Sequence, residues 1–356
     1  MKTISFFIIL FLTVNLFAND GAYFASGNQL IPINETDIIV KKEILTLKKV
    51  RNQFIEVTVY YEFFNPKEEK NIVVGFEAFS PSGDVDGATK NGEHPYMRNF
   101  TVEMNNNILT YDIAYVNDSL YTKNGKIQSI DLKNYEGNIS GNAVDFYYVY
   151  YFNTHFKKGL NIIKHTYIYD VSGGICYDYT FDYILTAANR WGNNQIDDFT
   201  LIIDNGEFET FNIKKTFYKS KSNWIVNGIG KANDDTFYDD ESVKFHIQKG
   251  NVIFQKVNFK PSGELYVYSL YCDETLEQAN YIPFSYFSQN RIKEPTSDFE
   301  KKILRNLPFA RRGYVFKNKE LKKYYEQLDW YIPNSNYIPN VEMISDIEKK
   351  WIKKYS

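Results

Sequence analysis

Residues 177–185 read YDYTFDYIL, an alternation of large aromatic or apolar side chains with smaller and mostly polar ones. Every second side chain of an extended strand lies on the same face, so this pattern predicts a β-strand with one buried and one wet face. Comparable runs lie at 54–64, 145–152, 161–169, 199–203, 243–248, 251–257 and 264–270. Many short strands without helical periodicity between them indicate stacked antiparallel sheets.

Composition supports the same fold class. The 356 residues include 30 Tyr and 28 Phe, so that aromatic residues make up 17% of the chain. Aromatic side chains favour the pleated, half-buried surface of a sheet. We therefore predict that residues 19–288 form a mainly β body, an antiparallel β-sandwich that is either single or two in tandem. Turn-forming clusters at 81–84, 173–174, 204–206 and 249–251 are predicted to separate the strands.

The N-terminus has the layout of a secretory signal peptide. Lys2 precedes an apolar run at residues 4–12, and Ala18 offers a small residue for cleavage. The run is too short for a membrane anchor, which needs about 20 apolar residues. We predict a signal peptide at residues 1–18, no membrane span, and a mature chain that works outside the cytoplasm, in the periplasm or the medium.

Cys176 and Cys272 are the two cysteines of the chain. In an exported protein they can form one disulfide, which in the chain-entropy model would stabilise the fold by about 4–5 kcal/mol. Two small buried thiols are the alternative interpretation of the same pair.

Charge is distributed unevenly along the chain. Residues 291–356 contain 15 Lys and Arg against 9 Asp and Glu, which leaves 26 basic and 35 acidic residues in the first 290. The tail is therefore basic and the body acidic. Without basic clusters outside the tail, the chain is not suited to bind nucleic acid.

The pattern changes from strand to helix near residue 290. Ser297 and Ser345 each begin a Ser-x-x-Glu capping box, the signature of a helix N-terminus. Pro308 is predicted to break or kink the first helix, because proline lacks the backbone donor. A second helix is predicted over about 318–328. The predicted buried stripe of the last helix consists of Ile347, Trp351 and Tyr355. Residues 289–356 are thus predicted to form a small all-α domain.

A motif in this tail carries a resemblance to a known family. It consists of Phe309, Ala310, Arg311, Arg312, Gly313 and Tyr314, followed by Trp330 and Tyr331. The tail resembles the YARHG domain, a short helical module of exported bacterial proteins for which no molecular activity is assigned.

Two positions depart from the YARHG signature. Phe309 stands where the name has Tyr, and Arg312 stands where it has His, which removes the one group suited to proton transfer at neutral pH. This favours a structural role for the motif. Gly313 then permits a tight turn, Ala310 permits close helix packing, and a carboxylate or helix-end carbonyls hold Arg311.

The body carries a second, less specific resemblance. Residues 19–45 and 183–203 are similar to an uncharacterised family of exported bacterial β-rich proteins, which also lacks an assigned activity.

Catalytic and metal-binding signatures are absent from the sequence. It contains no His-Glu-x-x-His, Gly-x-Ser-x-Gly, Ser-x-x-Lys or Cys-x-x-Cys motif. Cys176 with His155 or His165 could form a nucleophile and base, but core positions are the favoured interpretation. Acidic clusters at 84–87 and 234–241 could collect Ca²⁺, with solvated hairpin turns as the favoured alternative. We therefore assign no catalytic, cofactor or metal residues.

These observations favour a non-catalytic envelope or secreted protein with a binding or scaffolding role. Its basic tail suits an anionic envelope component or an acidic protein as partner. The alternative is an extracytoplasmic hydrolase that acts on wall polymer or peptide through carboxylates that the sequence does not identify. Exposed aromatic faces would also suit sugars, although sheet cores account for most aromatic residues.

Overall fold

The computed structural model describes residues 29–32, 37–51, 53–81, 84–117, 128–174, 177–237, 240–270, 282, 284, 292 and 294–356. The predicted signal peptide, both cysteines and the predicted boundary at 288/289 lie outside these residues. Among the described residues, no helix is long and apolar enough to cross a membrane.

In the described part of the chain, sixteen strands are followed by three α-helices. The strands are β1 (Gln29–Pro32), β2 (Ile39–Val50), β3 (Phe54–Asn65), β4 (Lys70–Ala78), β5 (Met97–Met104), β6 (Asn107–Ile108), β7 (Asp112–Val116), β8 (Tyr147–Phe156), β9 (Gly159–Asp170), β10 (Ser172–Gly174), β11 (Tyr177–Tyr183), β12 (Ile196–Asp204), β13 (Glu209–Lys214), β14 (Trp224–Phe237), β15 (Asp240–Phe259) and β16 (Leu265–Leu270). The helices are α1 (Asp298–Ala310), α2 (Lys319–Glu326) and α3 (Asp346–Lys354), and short 3₁₀ turns lie at Thr186–Arg190, Lys221–Asn223 and Val341–Met343.

The strands form a small sheet and a large one. The small sheet has the order β1-β4-β8-β7, and the large one runs β10-β11-β16-β13-β15-β12-β2-β3-β9-β5-β6, with β14 paired to β15. Neighbouring described strands are antiparallel except β12 and β2, which are parallel, so the large sheet is mixed. The predicted fold class, mainly β followed by a small helical part, is confirmed.

One hydrophobic core joins the two sheets. Its buried side chains come from the small sheet, as with Phe76, and from the large sheet, as with Tyr167. The ring centroids of these two residues lie 5.1 Å apart in an edge-to-face arrangement, which is a favourable geometry for aromatic pairs. The aromatic content that predicted sheet thus also fills the space between the sheets.

The predicted turn at 249–251 is wrong, because β15 continues through it from Asp240 to Phe259. Gly250 has φ +108° and is paired across the hairpin with Gly228, which has φ +138°. A Cβ on Gly250 would lie 2.1 Å from the carbonyl oxygen of Asn227. The glycine pair therefore lets two strand backbones approach closely within one hairpin, and it does not reverse the chain.

One position on the predicted wet face of β11 is buried. Thr180, on the polar side of β11, has no exposed surface, and Asn212 and Ser242 on nearby strands are equally buried. Asn212 Nδ2 donates to Asp235 Oδ2 at 2.8 Å and to Ser242 Oγ at 2.9 Å. The Tyr268 hydroxyl donates to Ser242 Oγ at 3.2 Å. These hydrogen bonds satisfy Asn212 and Ser242. Thr180 is therefore covered by protein and does not face solvent.

Of the two predicted effects of Pro308, a break or a kink, the break does not occur, since α1 continues to Ala310. A residue with a backbone N–H at position 308 would donate to the carbonyl of Leu304, and proline cannot. The indole Nε1 of Trp351 on α3 donates to that carbonyl at 2.7 Å instead. The proline therefore leaves an acceptor that fixes the packing of α3 against α1.

The other helix predictions stand in part. Ser297 and Ser345 form the predicted capping boxes of α1 and α3, and Asn318 caps α2, which ends at Glu326. Trp351 is buried as predicted. Ile347 is 63% exposed and does not belong to the buried stripe.

The glycine pair yields a test of the fold. Gly250→Ala should lower the free energy of unfolding by at least about 3 kcal/mol, because it adds a backbone clash to an unfavourable φ. Gly206→Ala is the matched control, since Gly206 has φ +94° with nothing within 4 Å of an added Cβ, and it should cost about 1 kcal/mol. Urea denaturation measures both. Equal losses in the two variants would contradict the close approach at Gly250.

Candidate functional site

The two signature arginines meet one carboxylate. Arg312 donates from Nη1 and Nη2 to the two oxygens of Glu348 at 2.5 and 3.0 Å. Nη1 also donates to the Pro308 carbonyl at 2.7 Å. Arg311 Nη1 lies 3.6 Å from Glu348 Oε1, and the side chains of Arg311 and Glu348 are only 6% and 4% exposed. This is a buried ion-pair cluster with a two-pronged arginine contact.

Glu348 also caps α3. The backbone N–H and the hydroxyl of Ser345 donate to Glu348 Oε2 at 2.9 and 3.0 Å, and Glu348 N–H donates back to Ser345 Oγ. Burial alone would raise the pKa of Glu348. The hydrogen bonds from Arg312 and Ser345 and the charges of both arginines outweigh it and lower the pKa below its ordinary value.

The same arginines contact the body. The guanidinium carbon of Arg311 lies 3.9 Å from the ring centroid of Phe208, and that of Arg312 lies 4.9 Å from it. Phe208 comes immediately before β13 and has φ +58°, an uncommon conformation for a side chain of this size. Its ring also packs against Phe284, with centroids 5.8 Å apart. The signature therefore takes part in cation–π contacts between tail and body.

A second buried ion pair lies beside this contact. Lys49 Nζ is 2.8 Å from Glu209 Oε2, with side-chain exposures of 3% and 6%. The same Nζ lies 4.3 Å from the ring centroid of Tyr179. Burial raises the pKa of Glu209, while Lys49 and Arg311 both act to lower it. Lys49 and Glu209 of the body and Arg311 of the tail thus form a series of charges of alternating sign.

The remaining signature residues are packed around the cluster. Gly313 has φ +83°, and a Cβ there would lie 2.3 Å from the Ile332 carbonyl oxygen. Ala310 is fully buried, and Phe309 is partly exposed at the end of α1. The Tyr331 hydroxyl donates to the Tyr314 carbonyl at 2.7 Å, and Trp330 Nε1 donates to the Ile282 carbonyl at 3.0 Å. The fold brings the signature together, as one packed unit.

Three described carboxyl groups in the body have a raised pKa, and the three lie in different environments. Glu43 is buried beside a cavity of roughly 10 Å³, enough for about one water. Burial raises the pKa of Glu43 to about 8. Burial also raises the pKa of Asp182 to about 7, with the charge of Glu264 contributing. The third is Glu209, described above.

Glu264 has its oxygens engaged by its own chain. Oε2 accepts from the backbone N–H groups of Leu185 and Thr186 at 2.7 and 3.1 Å, and Oε1 accepts from the Thr186 hydroxyl at 2.5 Å. Glu264 is therefore a structural anchor of the 3₁₀ turn, and the carboxyl group of raised pKa near it is that of Asp182.

The two candidate histidines differ in their environment. His165 is fully buried and stacks between Tyr61 and Tyr167, with ring centroids 5.9 and 6.0 Å away. Burial lowers the pKa of His165 to about 3, which keeps the ring neutral. His155 is exposed, and its Nδ1 lies 2.8 Å from Asn71 Oδ1. Cys176, the nucleophile of that hypothesis, lies outside the described residues.

The acidic clusters at 84–87 and 234–241 are engaged within the protein. Asp86 accepts from the backbone N–H groups of Ala88 and Gly141. In the β14–β15 hairpin, described carboxylates face lysines. These ion pairs are Asp234 and Glu241 with Lys215, Asp235 with Lys244, and Asp240 with Lys214. Among the described residues, no group of three or more His, Cys, Asp or Glu is arranged to hold a metal ion.

Residues 285–356 match the model of the YARHG domain. The C-terminal part of this chain is a YARHG domain. The match confirms the resemblance that the signature carries. The matched residues include the Arg311–Glu348 cluster and the three described α-helices.

Comparisons of the whole chain are weaker. A search of curated proteins found no match. Among solved structures, the chain is similar to a Legionella pneumophila protein provisionally described as nutrient-binding, with 16% identity, a TM-score of 0.47, and coverage of 94% of this chain and 98% of that one. An M1 zinc metallopeptidase from Deinococcus radiodurans has 9% identity and a TM-score of 0.25, over 65% of this chain and 42% of that one. Baculovirus P35 has 10% identity and a TM-score of 0.27, over 68% and 99%. Scores and identities this low carry no argument about function.

Glu43 yields a pH-dependent prediction. Its folded pKa of about 8 lies above the ordinary 4.5, so the folded state keeps a proton that the unfolded state loses. Its contribution to stability therefore falls as pH rises between these values, by at most about 1.4 kcal/mol per pH unit. Glu43→Gln removes this pH-dependent contribution to stability. The free energy of unfolding of the variant, relative to wild type, should increase from pH 5 to pH 8 and level off above.

Urea denaturation over a pH series measures this difference. Glu136→Gln, at an exposed position, is the control for loss of one surface carboxylate and should give a small difference throughout. If the Glu43→Gln difference does not change with pH, the buried carboxyl group is not protonated in the folded state.

Proposed function

We propose that this protein is exported and binds an envelope component without catalysing a reaction. The inward orientation of the YARHG signature supports this most directly. Its two arginines contact Glu348 and Phe208, and its glycine and alanine serve close packing. These groups stabilise the YARHG domain and are not displayed toward a substrate, so we assign binding to the exterior of the domain.

That exterior is rich in lysine. Six lysines are exposed, and no carboxylate in the described part of the chain lies within 4 Å of them. They are Lys302, Lys317, Lys319, Lys323, Lys350 and Lys353. Four further lysines already have acidic neighbours. These are Lys301, Lys322, Lys349 and Lys354. The first set is available to an anionic envelope polymer or an acidic protein, which is the partner class that we propose.

The hydrolase alternative has one supporting observation, the raised pKa of Asp182 beside Glu264. A buried carboxyl group with a raised pKa is typical of a general acid. Glu264 accepts three hydrogen bonds from residues 185 and 186, so its oxygens are already committed to the fold. The binding role is therefore the better supported of the two.

The binding role is tested with the mature full-length protein on purified envelope material over a salt series. Retention should weaken as salt rises, because exposed charges are screened beyond about 8 Å at physiological ionic strength. A variant with Lys302, Lys323, Lys350 and Lys353 changed to Gln should lose most of the retention.

A control variant changes four exposed lysines of the body to Gln and alters the net charge equally. These are Lys133, Lys219, Lys221 and Lys260. It should bind as wild type does. Retention that is independent of salt, or that falls equally in both variants, would reject the role of the YARHG domain.

A further inference from the structure

A groove of about 270 Å³ lies on the outward face of the large sheet, where β3, β9 and β5 are neighbours. Its polar lining consists of Glu56, Thr58, Asn99 and Thr166. Asn99 is an exposed residue with φ +56°, within an irregularity of β5 between Arg98 and Thr101. Such bulges redirect side chains from the regular face of a sheet. The groove is thus a polar depression on a surface that faces away from the core.

Threonines form a row across this face. Thr46 on β2 is paired with Thr58 on β3, which is paired with Thr166 on β9. Thr166 is in turn paired with Thr101 on β5. Thr58 and Thr101 are exposed, and Thr46 and Thr166 are partly exposed. The hydroxyl oxygens of Thr101 and Thr166 lie 2.7 Å apart. Four adjacent strands therefore present one hydroxyl group each along a single line.

The spacing of this row suits a polymer of sugar units. Neighbouring strands lie about 4.7–4.9 Å apart, which is close to the length of one hexose in an extended chain. A hydroxyl group is both donor and acceptor, and so is each sugar hydroxyl. The amide of Asn99 adds two donors and an acceptor at the groove. A linear glycan laid across the strands would meet threonine hydroxyl groups from four successive strands, of which those of Thr101 and Thr166 are hydrogen-bonded to each other.

Charges on this face are balanced. On one side of the row, Lys164 is paired with Glu103 across the strands. On the other side, Lys48 is paired with Glu56, and Arg98 forms an ion pair with Asp170. Balanced charge gives no electrostatic preference for an anionic or a cationic ligand. The ligand that fits is therefore uncharged, in contrast to the partner of the YARHG domain.

We propose that the outward face of β2, β3, β9 and β5 binds a linear, uncharged polysaccharide along the threonine row, with the groove at Asn99 as its central subsite. This site is separate from the lysines of the YARHG domain. The protein would hold a neutral glycan with its body and an anionic component with its YARHG domain.

The test is native affinity electrophoresis of the mature full-length protein. Gels contain a neutral polymer, namely dextran, xylan, mixed-linkage β-glucan or hydroxyethyl cellulose, or the anionic polymer alginate. At least one neutral polymer should retard the protein, equally at low and high salt. Thr58→Val/Thr166→Val should weaken that binding at least tenfold, because it removes two hydroxyl groups without changing side-chain shape.

Two further variants keep the test decisive. Thr110→Val/Thr236→Val changes two exposed threonines elsewhere and should bind as wild type. Asn99→Gly removes the amide while tolerating the positive φ, and it should also weaken binding if the threonine variant does not fold. Three results would overturn the proposal: no retardation in any neutral polymer, equal retardation in all variants, or retardation only in alginate that disappears with salt. Salt-sensitive retardation in alginate alone is the behaviour expected of the lysines of the YARHG domain. That result would reject the glycan site without rejecting the proposed role of the YARHG domain.

Discussion

The YARHG domain depends on the ion pairs and hydrogen bonds of the buried Glu348 carboxylate. A carboxylate so far removed from water is tolerated only where donors and cations replace its hydration. Ser345 supplies the donors that begin α3, and Arg311 and Arg312 supply the cations at the end of α1. Because both guanidinium groups also lie over Phe208, the same contacts join the YARHG domain to the body. Arg312 stands where the YARHG signature has histidine. Arginine strengthens this cluster, because it can contact both carboxylate oxygens at once.

Local patterns predicted the fold class well, because strand alternation and helix caps depend on residues close in sequence. The capping boxes at Ser297 and Ser345 are examples. Features that depend on a distant partner were missed. Gly250 looked like a turn, and only its pairing with Gly228 shows why the strand continues. Pro308 was predicted to break or kink α1, and only the indole of Trp351 shows how the helix accommodates it.

The candidate sites, like the fold, were predictable only where they depend on residues close in sequence. The signature could be located from the sequence, but its partners could not, since Phe208 lies about a hundred residues away from Arg311. Each threonine of the row lies at an outward position of its own strand, and the alternation of β3 and β9 was readable. The row itself exists only through the register of four strands, which no single segment encodes.

The central claim is that Glu348 holds the signature arginines, and the most direct test compares two glutamates at the same position of two capping boxes. Glu348→Gln keeps a capping side chain but leaves the buried Arg311 and the partly exposed Arg312 without their counter-charge, so it should lower the free energy of unfolding by about 3–5 kcal/mol. Glu300→Gln makes the same change in α1, where the residue is partly exposed, and should cost under about 1 kcal/mol. Equal, small losses in both variants, measured by urea denaturation of the mature chain, would contradict the account.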